Sequence, residues 1–295
     1  MVDARIAPEL EESLRATLIA IAFNAMIFSD SVEGRAFDRL EELGPGGRDT
    51  RAEIAAAVLL VARHSIGEHR LDGLEALCED DDRRVARLAL QWSSQWHENQ
   101  GDVRLAQQRG LDSLALVDPR DGPWEAALMR AQLAGLTMQI GDMEDAMGYA
   151  RQAIPVLDAL GADEDVAQLK AVLALGAMDG GRLDEAERIF DEIEAADAGT
   201  GIFGAAIILL CGRPELDLAA GRIEVGLSGY RDAVVTMSAR TFPGLENMLG
   251  YEPWTLYAEA AAVAAHVHHG RAADVEDLRT SLVRKVPEML GSCRL

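Results

Sequence analysis

Lysine is almost missing from this chain. Lys170 and Lys285 are the only two, and 28 basic residues stand against 50 acidic ones for a net charge of −22. A duplex-binding domain needs a basic face to displace counterions from phosphates. A surface that adsorbs to anionic lipid needs one as well. Neither direct nucleic-acid binding nor membrane adsorption is therefore expected. Cysteine is scarce too: Cys78, Cys211 and Cys293 are far apart, with no CxxC pair. That excludes a disulfide framework and fits free thiols in a reducing cytoplasm. No apolar run reaches the ~20 residues that span a bilayer, since Leu18–Phe28 is about half that length. Met1–Arg5 leads into an acidic helix rather than a secretory leader, so a cytoplasmic location is expected. Aromatics make up 5% of the chain and proline nine residues. No Walker A loop, nucleophile elbow, HExxH or EF-hand loop occurs.

What is present is alanine, leucine and a repeat. Both residues favour helices, so the composition is all-α. Gly101-Asp102, Gly141-Asp142, Gly181-Arg182 and Gly221-Arg222 recur at a spacing of 40. Five positions after each glycine stand Ala106, Ala146, Ala186 and Gly226. Seven positions before stand Ser94, Ala134, Ala174 and Pro214, and twelve after stand Ser113, Ala153, Ile193 and Ala233, where Ile193 is the exception to small size. Two antiparallel helices joined tightly need glycine at a left-handed cap and small side chains where their axes approach. Such a hairpin cannot bury its apolar face alone, and stacked copies share one core. The expected fold is a right-handed superhelix of six or seven antiparallel helix pairs, a TPR-like solenoid.

The pairs read as Pro8–Phe28 with Val32–Leu43, Thr50–Ile66 with His69–Cys78, Arg83–Gln100 with Val103–Val117, and Pro123–Ile140 with Met143–Leu160. Three more follow: Asp165–Met178 with Leu183–Ala195, Ile202–Ala219 with Ile223–Ala239, and Pro253–His269 with Ala273–Leu290. Residues 1–295 are read as a single domain, with divergent pairs over 1–80, regular repeats over 81–239, a loop over 240–252 and a terminal pair over 253–290. Pro123 and Pro253 suit first helical positions. Pro214 falls inside a helix and is expected to kink or split it. The loop Arg240–Glu252 is long enough to contact a ligand or a neighbour, or to be a plain insertion.

Four features could carry chemistry. Gly199-Thr-Gly-Ile-Phe-Gly204 matches GxGxxG, but no strand precedes it, so an inter-helix loop is preferred to a nucleotide site. His266 and His269 share a helical face, with Glu259 above them, yet a helix C-terminus favours histidine without any metal. Trp92 and Trp96 lie one turn apart and read mainly as packing. The acidic run Glu79–Asp82 reads as a solvated loop. No cofactor, no metal and no catalytic residue is expected.

In TPR-type folds the first helix of each pair lines the concave surface. The 40-residue register places Gln91, Gln95, Glu98 and Asn99 there in one repeat. The next contributes Leu128, Ala131, Gly135, Met138 and Gln139, and the third contributes Gln168, Ala171, Leu175 and Met178. Polar walls at one end and small or Met-rich walls at the other suit a peptide, a helix or a small ligand. Burial of the apolar positions under neighbouring repeats is the competing reading.

The segments Gly122–Leu128 (GPWEAAL), Leu136–Asp142 (LTMQIGD), Gly180–Glu187 (GGRLDEAE) and Tyr251–His266 (YEPWTLYAEAAAVAAH) resemble the C-terminal TPR region of AfsR-like members of the Streptomyces antibiotic regulatory protein (SARP) group. The resemblance covers about Gln91–Leu290. It implies a protein- or effector-binding sensor domain of a transcriptional regulator of secondary metabolism. The implied partners are the regulator's other domains, another protein or a small effector. Such regulators carry DNA-binding and ATPase domains for which this chain has no matching residues. The alternative is a stand-alone scaffold that drives partner assembly, or homodimerisation through Leu18–Phe28.

Overall fold

The structure, a computed structural model, describes residues 8–25, 31–68, 70–197, 203–239 and 251–292. Among these residues there are fourteen α-helices and no strand. They group into two compact units that meet in sequence at Met129 and Arg130.

The first unit contains α1 (Pro8–Ala25), α2 (Ser31–Leu43), α3 (Arg51–Glu68), α4 (Asp72–Cys78), α5 (Arg83–Asn99), α6 (Val103–Ala115), a 3₁₀ turn at Pro119–Asp121 and the start of α7 (Pro123–Ile140). The second holds the rest of α7, then α8 (Met143–Ala159), α9 (Asp163–Asp179), α10 (Leu183–Asp197), α11 (Phe203–Ala219), α12 (Ile223–Ser238), α13 (Tyr251–His268), a 3₁₀ turn at Ala272–Val275 and α14 (Glu276–Ser292). The expected helices are found with ends shifted by a few residues. The largest shifts are at α4, which starts at Asp72 instead of His69, and at α14, whose expected first turn is 3₁₀. Pro253 falls in the first turn of α13 rather than at its first position, where its missing N–H still costs nothing. Of the expected loop Arg240–Glu252, Tyr251 and Glu252 belong to α13, and 240–250 lie outside the described residues.

The glycine turns work as the repeat requires. Gly101, Gly141, Gly181 and Gly221 have φ of 81°, 94°, 70° and 77°. At the first, the Asp102 N–H donates to His97 O and the Gly101 N–H to Glu98 O, both at 2.9 Å, which satisfies carbonyls that a helix end leaves open. Asp102 then caps α6 by accepting from the Leu105 N–H at 3.3 Å. Gly270 closes the turn of the last pair in the same way, and Gly161 does so between two successive pairs.

The small-residue columns face each other across each hairpin. The Ser94 hydroxyl donates to Ala106 O at 2.8 Å, which joins the position seven before a turn to the position five after it. In the last regular pair those positions hold Pro214 and Gly226. A Cβ on Gly226 would come within 2.8 Å of Pro214 O, so glycine makes room for the bulkier partner. Contrary to expectation, α11 is not split and runs as one helix through Pro214. Proline removes one intrahelical bond, but its ring is received by α12 at Gly229, where a Cβ would lie 2.9 Å from Pro214 Cγ.

The core of the first unit has two parts: Leu18, Phe37, Leu40 and Leu59 between α1, α2 and α3, and Ile54, Val58, Leu74 and Val85 between α3, α4 and α5. Trp92 packs against both. In the second unit Ala167, Ala174, Ala177, Ala186, Phe190, Ile193 and Leu216 form one cluster. Ile193, the large residue in its column, is 1% exposed and fills that cluster.

Candidate functional site

In the first unit, α5 buries Val85, Ala89, Ser93 and His97. That leaves Gln91, Gln95, Glu98 and Asn99 as a half-buried or exposed polar stripe. The Gln95 amide donates to Glu98 Oε2 at 3.3 Å. Leu128, on the first turns of α7, is half-buried.

Behind α5 lies a polar cluster that leaves no pattern in the sequence. Glu75 on α4 accepts from the Ser93 hydroxyl at 3.1 Å and from Arg109 at 2.6 Å, with His97 Nε2 4.0 Å away. Burial lowers the His97 pKa against the opposing pull of Glu75. Burial, helped by Glu75, pushes the Cys78 thiol up to about 11. A fully buried Ser93 and a protonated thiol suit cross-linking of helices rather than nucleophilic chemistry. The acidic run is likewise structural: Asp82 caps α5 through the Arg84 N–H at 2.9 Å, and Asp80 pairs with Arg48 at 2.7 Å.

In the second unit the register falls on the open side of each first helix. On α7, Ala131, Gly135 and Met138 are half-buried and Gln139 is exposed, and a Cβ added at Gly135 would meet nothing within 4 Å. On α9, Gln168 is exposed and Leu175 half-buried, while Ala171 is 9% exposed. Met178 departs from the expected surface, because it packs against the Phe190 cluster and belongs largely to the core. Ala171 is therefore closed off, and Met178 is half-buried against the core that α9 shares with its own partner helix α10.

Carrying the same register forward locates residues missing from the expected surface. One repeat beyond Gln168, Ala171 and Leu175 stand Ile208, Cys211 and Glu215 on α11. The Gly221-to-Gly270 offset then maps Ile208, Cys211, Glu215 and Leu218 onto Tyr257, Ala260, Ala264 and Val267 of α13, all four of which are exposed. The Glu215 carboxylate accepts a short hydrogen bond from the Tyr230 hydroxyl of α12, whose side chain is buried. Burial first, then this bond, raises the Tyr230 pKa far above its usual 10. The Tyr257 hydroxyl is raised by burial first, then by the charges of Cys211 and Glu215, although most of the residue is exposed. Burial lifts the Cys211 thiol to about 11. Glu215 and Tyr257 are exposed, Cys211 is half-buried and Tyr230 is buried.

The other sequence candidates resolve into structure. His266 is 2% exposed with Nδ1 2.8 Å from Ala262 O, and Glu259 is buried against Lys285 at 2.6 Å. Among the described residues no group of three or more His, Cys, Asp or Glu could hold a metal. Of the GxGxxG segment, Gly204 lies in α11, while 199–202 lie outside the described residues. Leu18 and Ile19 of the apolar first helix are used in the chain's own core. Among the described residues no helix is long and apolar enough to cross a membrane.

No family model matches the chain and no curated protein matches it. Solved structures do. A Rap protein complexed with competence and sporulation factor matches with a TM-score of 0.69 at 12% identity, over 94% of this chain and 77% of that one. Two others match at lower scores. TPR-like repeats of a putative kinesin light chain from Podosopora anserina give 0.46 at 15% identity, over 69% of this chain and 94% of that one. BtubC (BKLC) from P. vanneervenii gives 0.48 at 17% identity, over 82% and 94%. With the helix order and turns above, the first match defines the chain as an all-α, TPR-like solenoid of antiparallel helix pairs.

Proposed function

We propose that this chain is a non-catalytic binding scaffold, and that the open face of α7, α9, α11 and α13 in the second unit takes a segment of a partner protein. One observation carries the reading. At register positions of α7, α9 and α13 the side chains stay half-open or exposed, and they are small or apolar: Ala131, Gly135, Leu175, Ala260, Ala264 and Val267. A face of this kind accepts an amphipathic helix or an extended segment. The Rap protein of like fold was solved in complex with a factor, which is consistent with a scaffold of this shape holding a guest. The regulatory context, a sensor domain of a SARP-type regulator with a protein or small effector as partner, rests on the sequence resemblance alone. Homodimerisation through Leu18–Phe28 has less support, because Leu18 and Ile19 pack internally.

The test is to pan a phage-displayed library of 12-residue peptides on the whole chain. Recovered peptides are expected to lose binding to Leu175→Asp and Tyr257→Asp. They should keep it for Val235→Asp, which lies exposed on the second helix α12. Melting curves confirm that each variant is folded. Peptides that bind all three variants equally would place the binding surface elsewhere.

A further inference from the structure

In the cluster behind α5, one carboxylate faces three basic or hydroxyl side chains. Glu75 Oε1 accepts from the Ser93 hydroxyl at 3.1 Å, and Oε2 accepts from Arg109 Nη2 at 2.6 Å. Arg109 Nε, on the same guanidinium, is buried and has no partner within the protein. His97 completes the group at 9% exposed, with Nε2 4.0 Å from Glu75 Oε1, which is too long for a hydrogen bond. A neutral imidazole fits this space. A protonated one adds a second cation beside Arg109 and one more N–H, while both oxygens of Glu75 are already engaged. A buried charge without a hydrogen-bonded partner is costly. The other groups around the ring do not reverse this. Asp102, in the turn after α5, is exposed and caps α6 through the Leu105 N–H at 3.3 Å. The Cys78 thiol of α4, raised by burial, stays neutral across the acid range. Helix α3 meets α5 through Ile54, Val58 and Ala62, which carry no charge.

We propose that His97 is an acid-sensitive pin, and that a proton taken up by its ring loosens α4 from α5 and α6. Helix α4 has seven residues, and Glu75 is its polar tie to both neighbours. Burial first holds the ring below its ordinary 6.5, so the opened state binds the proton more readily than the closed one. The contribution of neutral His97 is complete above the unfolded value and lost as pH falls through the folded one. The pin therefore acts below about pH 6.5, at milder acidity than the protonation of the carboxylates that cap and pair the helix ends.

The experiment is hydrogen exchange by mass spectrometry on the whole chain at about pH 7.5 and 5.5, corrected for the chemical exchange rate at each pH. Wild type is expected to lose protection several-fold in α4 at the lower pH, while α10, which has no histidine, keeps its own. His97→Gln takes up no proton and should show the same α4 protection at both values. The Trp96 ring meets His97 edge-on at 5.1 Å. An imidazolium quenches indole emission, so wild-type fluorescence should dim over the same range. If His97→Gln does not fold, Ser93→Ala serves instead: it releases Glu75 Oε1 to the imidazolium and should shrink the loss. Equal α4 protection at both values in wild type, or a loss that the folded variant leaves unchanged, would overturn the pin.

Discussion

Ion pairs tie helices on both sides of Arg130, but among the described residues the helical glycines on which a neighbouring helix closes to within 2.9 Å of an added Cβ, Gly176, Gly212, Gly226 and Gly229, all follow it. Near the start of α3, Glu53 accepts from the Gly47, Asp49 and Thr50 N–H groups at 2.9–3.1 Å. These bonds, that from Thr50 first, hold its carboxyl below the usual range. Arg83 reaches Asp121 at 2.6 Å, and Arg87 reaches Glu125 at 2.9 Å. In the second unit the corresponding work falls to Ala146, Ala174, Ala186 and Gly226, all buried where helices meet. One hairpin geometry thus tolerates two kinds of adhesive. The polar kind coincides with the polar stripe Gln91–Asn99, and the apolar kind with the face read as the binding surface.

The comparison can be broken first at its strongest point. Phe190 is 1% exposed and sits on Gly212, where an added Cβ would lie 2.6 Å from its ring. Phe190→Ala is expected to cost about 3–5 kcal/mol by urea unfolding. A loss under ~1 kcal/mol would mean that the alanine-rich core is not what holds the second unit together.

Two glycines of that unit should answer in opposite directions. Gly226→Ala drives a Cβ toward Leu218 and the backbone of Pro214, at a cost of about 1–3 kcal/mol. Gly135→Ala meets open space and removes a helix-interior glycine, so stability should rise by about 0.5–1 kcal/mol. Equal effects would contradict the assignment of one glycine to a helix contact and the other to an open face.

Next in size is the end cap of α5. Asp82→Ala should cost about 1 kcal/mol, with the midpoint followed by circular dichroism. An unchanged midpoint would show that Arg84 and Arg48 hold this corner without the cap.

The finest distinction is in pH. The Arg84 side chain, with the Arg84 N–H, lowers Asp82 from its ordinary 3.8 to about 2, and Asp80, Asp118 and Asp121 are lowered too. A depressed carboxyl stabilises the fold above its unfolded pKa and loses that contribution as pH falls through the folded one. The first unit should therefore weaken between about pH 4 and 2. In the second unit Cys211 is raised from 9.0 to about 11, and Tyr230 and Tyr257 are raised as well. Their contribution is complete below the unfolded pKa and lost as pH rises through the folded one, so this unit should weaken from about pH 9 upward. Optical probes separate the two. Three of the four tryptophans, Trp92, Trp96 and Trp124, precede Arg130, while all four tyrosines follow it. Tryptophan emission should change first in acid, and phenolate absorbance should lag the free-tyrosine curve in alkali. Simultaneous change of both probes at either extreme would erase the distinction.

The helix pairs were legible because their cause is local. A glycine with positive φ and a small residue at each close approach leave a periodic trace in sequence. The half-open positions Ala131, Gly135 and Leu175 follow from the same register, and their use as a binding face is the proposal made above. Register tells which side of a helix Met178 occupies, not how closely the cluster around Phe190 packs against it. Glu215 and Tyr257 went unread because Pro214 was expected to kink or split its helix and the insertion before α13 broke the count. Realigned on Gly270, the register reaches them. The Tyr230–Glu215 bond leaves no periodic trace, since it joins two helices through side chains that occur once.

The most direct measurement is hydrogen exchange by mass spectrometry on the whole chain, with and without a peptide recovered by panning. Binding along the open face predicts slower exchange in α9, α11 and α13, centred on Gln168–Leu175, Cys211–Glu215 and Tyr257–Val267. Slowing confined to the second helices α8, α10 and α12, or to the first unit, would contradict it.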